Sequence, residues 1–245
     1  MNSPRIDLAL RVIIIAVVLI ILPSLVCGQT LRPKLAQRVA AFDSTNPLPY
    51  GQLVELAQAF HIPMGIEWLN VPDENASAPI HVRNTTILAI LSQILRQYPG
   101  YTFELNDGIV NIFMPALISD ERNFLNIRIP QFVVDKANLF RASFELENAI
   151  RDVLHPRSGY GGGVGHGSTN KSGFDVSNIT FDVRNSTARG ILNKIAKVQG
   201  NALWIVRLIP QQMMNNGRFY AQTSSMTSDR VAPEFHWDFI SLGAL

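Results

Sequence analysis

Leu53, Leu56, Ala57 and Phe60 recur at helical spacing and stop short of Pro63, after which 64–69 reads as a strand. Proline ends the helix because it lacks the amide hydrogen the next turn needs. Ile80 and Val82 alternate with polar neighbours, the period of a half-buried strand at 80–83. Ile87, Ile90, Leu91, Ile94, Leu95 and Tyr98 then share one face of a helix over 86–97. Two alternating runs, 101–105 and 109–113, flank Asn106-Asp107-Gly108, which predicts a hairpin with glycine at the positive φ. Upstream, 31–42 reads either as a short amphipathic helix or as a lead-in to a strand at 39–44.

The second half opens on an apolar stretch at 124–134, a strand that Pro130 restricts to an edge or a bulge. Asn138 is placed to cap a helix over 139–154. Its inner face reads as Phe140, Ser143, Leu146, Glu147, Ile150, Val153 and Leu154, so the helix is either rotated or carries a charge at the core boundary. Residues 158–173 hold seven glycines in 16 positions, a composition that does not order by itself. A strand at 179–183, a helix at 187–199 and the apolar run 202–206 follow. Residues 211–230 read as a polar linker, and 235–240 as an aromatic segment that docks or pairs as a strand.

One phrase occurs twice. Val82-Arg83-Asn84-Thr85-Thr86 returns 101 residues later as Val183-Arg184-Asn185-Ser186-Thr187, and seven of the 13 positions 82–94 and 183–195 are identical. Each copy ends a strand and starts a helix, with Asn, Ser and Thr oxygens available to the orphan amides of the first turn. The repeat predicts an α+β chain of two tandem small αβ modules, 39–115 and 124–210, each with two helices packed on short strands. The second carries the glycine-rich insertion 158–173, and 211–245 forms a polar linker and an aromatic tail.

Composition changes this picture mainly at the N-terminus. Arg5 and Arg11 precede 11 uninterrupted apolar residues at 12–22, and Val26-Cys27-Gly28 closes the segment. That order describes a secretory signal peptide cleaved after Gly28. The alternative is an uncleaved anchor at 12–26 with the remainder extracytoplasmic. Both place the rest of the chain in the periplasm or outside the cell. Cys27 is the only cysteine, so disulfides and thiolate chemistry are not expected after cleavage. A formal net charge of +2 with no basic stripe gives no case for nucleic acid.

Chemical motifs fail on inspection. Gly165 to Ser172 approaches a phosphate-binding loop but has Asn170 where glycine is needed, and a strand follows instead of a helix N-terminus. Ser168-Thr-Asn-Lys171 matches the Ser-x-x-Lys of penicillin-binding enzymes, yet its single lysine cannot serve both motifs of that site. His155 and His166 have no third ligand at a suitable spacing. No catalytic, cofactor-binding or metal-binding residue is assigned. Partner contacts are expected from Tyr160 and His166 in the glycine loop and from Phe235, Trp237 and Phe239 in the tail.

Residues 47–114 resemble the short N-terminal (STN) domain shared by secretins and TonB-dependent outer-membrane receptors. The likeness rests on Leu53-Val-Glu-Leu-Ala57 followed by Ile66-Glu-Trp68, then on 82–91, and on the hairpin closing at Asp107-Gly108-Ile109-Val110. Residues 127–209 look like a second, more diverged copy. The resemblance implies a small αβ fold, two helices against two little sheets, that docks other envelope proteins and is not an enzyme. The expected partners are a secretin, a TonB-dependent receptor or a similar assembly. A ligand-carrying or structural envelope protein, or a hydrolase whose polar residues meet only in the fold, are the alternatives.

Overall fold

The computed structural model describes residues 31–69, 77–120, 123–154, 178–199, 202–209, 220–221 and 238–241. The predicted signal or anchor, the glycine-rich insertion and most of the linker and tail lie outside them.

Both readings of the lead-in hold in succession. Helix α1 (Leu31–Ala36) buries Leu31 and Leu35, and strand β1 (Arg38–Ser44) follows, so the first core begins before residue 39. Helix α2 (Pro49–Phe60) has proline in its first turn and ends at His61, whose φ of 49° turns the chain left-handed before Pro63. Strands β2 (Met64–Leu69) and β3 (Ile80–Thr86) lead into α3 (Ile87–Arg96). This helix buries Ile87, Ile90, Leu91, Ile94 and Leu95, and each such side chain stabilises by about 1.5–3 kcal/mol relative to exposure. Strands β4 (Thr102–Asn106) and β5 (Ile109–Phe113) form the hairpin. Its turn has positive φ at both Asp107 (52°) and Gly108 (83°), so the aspartate shares the role given to glycine alone.

In the second half, the apolar stretch at 124–134 is not one strand. After the short helix α4 (Pro115–Ile118), Phe124–Asn126 is a 3-10 turn and β6 begins at Arg128, running to Ala137. The cause is side-chain capture: Asn123 accepts from the Leu125 amide, and Asn123 and Asn126 both donate to the Leu117 carbonyl. Helix α5 (Leu139–Leu154) starts on Asn138, whose Oδ1 accepts from the Arg141 amide at 2.8 Å. It is rotated from the expected face. Leu139, Ala142, Leu146, Glu147 and Ile150 point inward, while Phe140 (45% exposed) and Val153 (39%) lie outward. Glu147 tolerates burial because Arg151, one turn on, pairs with it. Strand β7 (Ile179–Thr187), helix α6 (Ala188–Gln199) and strands β8 (Ala202–Ile209), β9 (Tyr220–Ala221) and β10 (Asp238–Ser241) complete the described chain. Part of the predicted linker thus pairs as β9, and part of the tail as β10.

The two segments do not build separate sheets. One sheet runs β10-β8-β2-β5-β4, with β9 also on β8, and β2 lies parallel to both β5 and β8. Alternation along its strands divides the molecule. Met64, Ile66 and Trp68 of β2, Val110 and Ile112 of β5, and Leu203 and Ile205 of β8 join α1, α2 and α3 in one core. Trp204, Val206 and Leu208 of β8, with Ile109 of β5, join α5 and α6 in the other. Two-stranded antiparallel sheets, β1–β3 and β6–β7, pack on the helices of their own halves.

The repeated phrase has the same geometry twice. Arg38 faces Thr86 as Arg128 faces Thr187, Ala41 faces Arg83 as Gln131 faces Arg184, and Phe42 faces Val82 as Phe132 faces Val183. Between the first two of these steps each ladder skips a pair, at Ala40/Asn84 and at Pro130/Asn185. The reason is the left-handed backbone of Asn84 (φ 50°) and Asn185 (φ 51°), a conformation asparagine adopts more readily than most residues. Those asparagines, expected as caps, are therefore kinks, and the capping oxygens belong to Thr86 and Thr187. They accept from the Ala89 and Gly190 amides at 3.2 and 3.1 Å. Pro130 is tolerated because it falls on a skipped step, where no ladder bond needs its missing amide hydrogen.

Candidate functional site

Strand β8 is apolar over Ala202–Val206 and buried on both faces. Its inner edge pairs with β2. Its outer edge is closed in two pieces, β10 along 202–205 and β9 along 208–209. Phe239 of β10, expected to face a partner, is 5% exposed: pairing opposite Trp204 turns its ring into the second core. Ile240 points the other way, against the first core. Tyr160, His166, Phe235 and Trp237 lie outside the described residues, so Phe239 is the one expected contact residue whose place is known, and that place is internal.

Strand β4 forms the opposite edge of the same sheet. It pairs with β5, and Thr102, Glu104 and Asn106 are exposed along it.

The outer face of β1–β3 carries a charged cluster. Asp43 Oδ1 accepts from Arg83 Nη1 at 2.9 Å and lies 2.9 Å from His81 Nδ1. The hydrogen bond from Arg83, then that from His81, holds the Asp43 carboxyl below its ordinary range. In the other copy Asp182 takes the place of His81, and Gln131 donates to it at 3.3 and 3.4 Å. The two copies share a register but present different polar groups.

Two buried arrangements join the halves, and neither was expected. Glu67 on β2 and Arg189 on α6 form a two-point ion pair, with side-chain exposures of 1% and 11%. Arg189 also donates to Asn126 Oδ1 at 2.7 Å, and Asn123 donates to Glu67. A glutamate between Ile66 and Trp68, inside an otherwise apolar strand, was the available signal. Arg189 stands where the first copy has the half-exposed Leu88. Nearby, Gly65 faces Trp204 across the β2–β8 ladder, and a Cβ there would lie 2.3 Å from the indole ring. The indole Nε1 donates to the buried Asn193 Oδ1 at 2.9 Å. Glu67, Asn123, Asn193 and Trp204 are buried, and Arg189 is nearly so.

An aromatic cluster closes the first core. Tyr101 stacks on Trp68 at 4.1 Å between ring centres, Tyr98 meets the same indole edge-on at 5.2 Å, and Tyr50 lies 6.4 Å away. Tyr101 accepts from the Leu69 amide at 2.8 Å.

Among the described residues no three His, Cys, Asp or Glu side chains converge as metal ligands, and no helix is long and apolar enough to cross a membrane. No protein-family model, curated protein or solved structure matches this chain.

Proposed function

We propose that the chain is a non-enzymatic, extracytoplasmic interaction protein of the cell envelope, built on two STN-like αβ units. The observation that carries the reading is the order in the first half: strand, helix, strand, strand, helix, hairpin, with α2 and α3 between a two-stranded sheet and the β2-β5-β4 strands. Two helices against two small sheets is what the resemblance of 47–114 implies. The second half supports it by repeating the strand, kink, cap and helix in the same register. In this reading the units dock a secretin, a TonB-dependent receptor or a similar assembly in the periplasm, and 1–28 is the export signal or 12–26 the inner-membrane anchor. The two units differ in their outer polar faces, which suits two different contacts.

The test is crosslinking of the tagged full-length protein in its own cells, followed by mass spectrometry. Reproducible links to an outer-membrane secretion or receptor assembly are expected. Links confined to the chain itself, with the protein expressed and exported, would discard the docking role.

A further inference from the structure

Seven positions of the repeated phrase are identical, and six of them serve the fold in both halves. Val82, Ile90, Leu91, Ile94 and their counterparts 101 residues on pack into the cores. Asn84 and Asn185 make the kink, and Thr86 and Thr187 the cap. The seventh position, Arg83 and Arg184, is exposed in both halves and has no common partner. Arg83 donates to the Asp43 carboxylate at 2.9 Å. In the second half Val133 stands where Asp43 stands, since Asp43 faces His81 as Val133 faces Asp182. Among the described residues Arg184 has neither a hydrogen bond nor an ion pair. The polar groups around it are taken: Gln131 donates to Asp182, Thr180 to Asp135, and Arg128 to the Asn185 carbonyl, as Arg38 does to that of Asn84. Val133, diagonal to Arg184 on the adjacent strand, is 54% exposed, more than any other large hydrophobic side chain among the described residues.

We propose that the outer face of β6–β7 at Arg184 and Val133 docks an aspartate or glutamate side chain of a partner polypeptide, together with an apolar neighbour of that side chain. The proposal deepens the interaction reading above and rests on it. The first half shows the ligand in place: Asp43 on Arg83 is a carboxylate at the position that Val133 leaves uncharged. A guanidinium suits a carboxylate because its planar fork offers two parallel N–H donors. An exposed ion pair alone is weak. The occupant is therefore a polypeptide and not a free ion, since only a polypeptide also covers the apolar surface of Val133. One guanidinium is thus kept in both halves, satisfied internally in the first and presented outward in the second.

The test is an NMR titration of the purified full chain that follows the Nε–H signals of Arg83 and Arg184 and the Val133 methyl groups. The probes are a short peptide with one aspartate between valines, its asparagine twin, and acetate. The aspartate peptide should move Arg184 and Val133 with one midpoint and leave Arg83 in place; the asparagine twin should need about fivefold more, or fail to act. Val133→Asp supplies the carboxylate from within and should abolish the response at Arg184. Asp43→Val should make Arg83 respond as Arg184 does. Both positions are exposed, so both variants should keep the fold. No response at Arg184, equal responses to the two peptides, a response that survives Val133→Asp, or a silent Arg83 in Asp43→Val would overturn the proposal. Acetate acting at the peptide's concentration would give the site to free carboxylate ions and overturn it equally. None of these outcomes depends on the cellular crosslinks, so the docking site and the envelope role fail separately.

Discussion

Gly65 is held glycine by a neighbour on another strand. The Trp204 indole occupies the space a side chain would need, so Gly65→Ala forces a rigid ring and a central strand apart. The expected loss is about 1–3 kcal/mol, read from denaturant midpoints, and Trp204→Leu in the same chain should recover part of it. Arg189 presents the opposite case, a charge held inside by its partner. Removing it as Arg189→Ala leaves Glu67 buried without its counter-charge, with an expected cost of about 3–5 kcal/mol. The double change Glu67→Leu with Arg189→Met should be much milder, since no charge is then left behind. At the surface, Asp43 reports its surroundings by titration. Its carboxyl sits low because Arg83 and His81 bond the ionised form. This favourable contribution is present above the ordinary carboxylate range and lost as pH falls through the lowered value. Arg83→Gln should move the Asp43 midpoint upward in a carboxyl-carbon NMR titration; an unmoved midpoint would assign the shift elsewhere.

At the level of elements, the strand, kink, cap and helix unit acts as a piece reused whole. Asn84 and Asn185 hold the same left-handed turn, so alanine at either should cost about 1–2 kcal/mol, while glycine should be tolerated. Thr86→Ala and Thr187→Ala should each cost about 1 kcal/mol through the lost cap bond. Parallel losses in the two halves, by urea titration, are the signature of a shared device. Much of this level was legible in the chain: β2 and α5 fall where periodicity and Pro63 or Asn138 place them. Local pattern did not reveal which side chain of Asn84-Thr85-Thr86 bends and which caps, because both roles draw on the same residue types. Nor did it give the rotation of α5. Phe140 and Val153 fit the helical stripe as well as Leu139 and Ala142, and only packing against β6 and α6 chooses between them. The pairing of β8 with β2 was also out of reach. An apolar run such as 202–206 says that both faces are covered but does not name the neighbour.

At the scale of the molecule, the two cores lie back to back on one sheet and share its strands. Neither half can lose its packing without stripping a face from β2 and β8, so unfolding should be a single transition. Trp68 sits in the first core and Trp204 in the second, so single-tryptophan variants report each half by fluorescence. Coincident midpoints are expected; midpoints separated by more than about 0.5 M urea would show halves that unfold independently. The contact residues proposed from composition were not decidable at this scale. An aromatic tail reads the same whether it faces a partner or, like Phe239, fills its own core.

The parallel pairing of β2 with β8 also sets an order of events during synthesis. A ribosome delivers β2 together with its neighbours α2, α3 and β5, yet the strand for its other edge is encoded more than a hundred residues later. Until that stretch emerges on the far side of the membrane in the proposed export, the chain displays a nearly complete half-domain with a bare apolar edge. A holding chaperone of that compartment that recognises extended apolar segments should therefore bind the emerging chain after β5 has crossed and release it once residues 202–209 are free to insert.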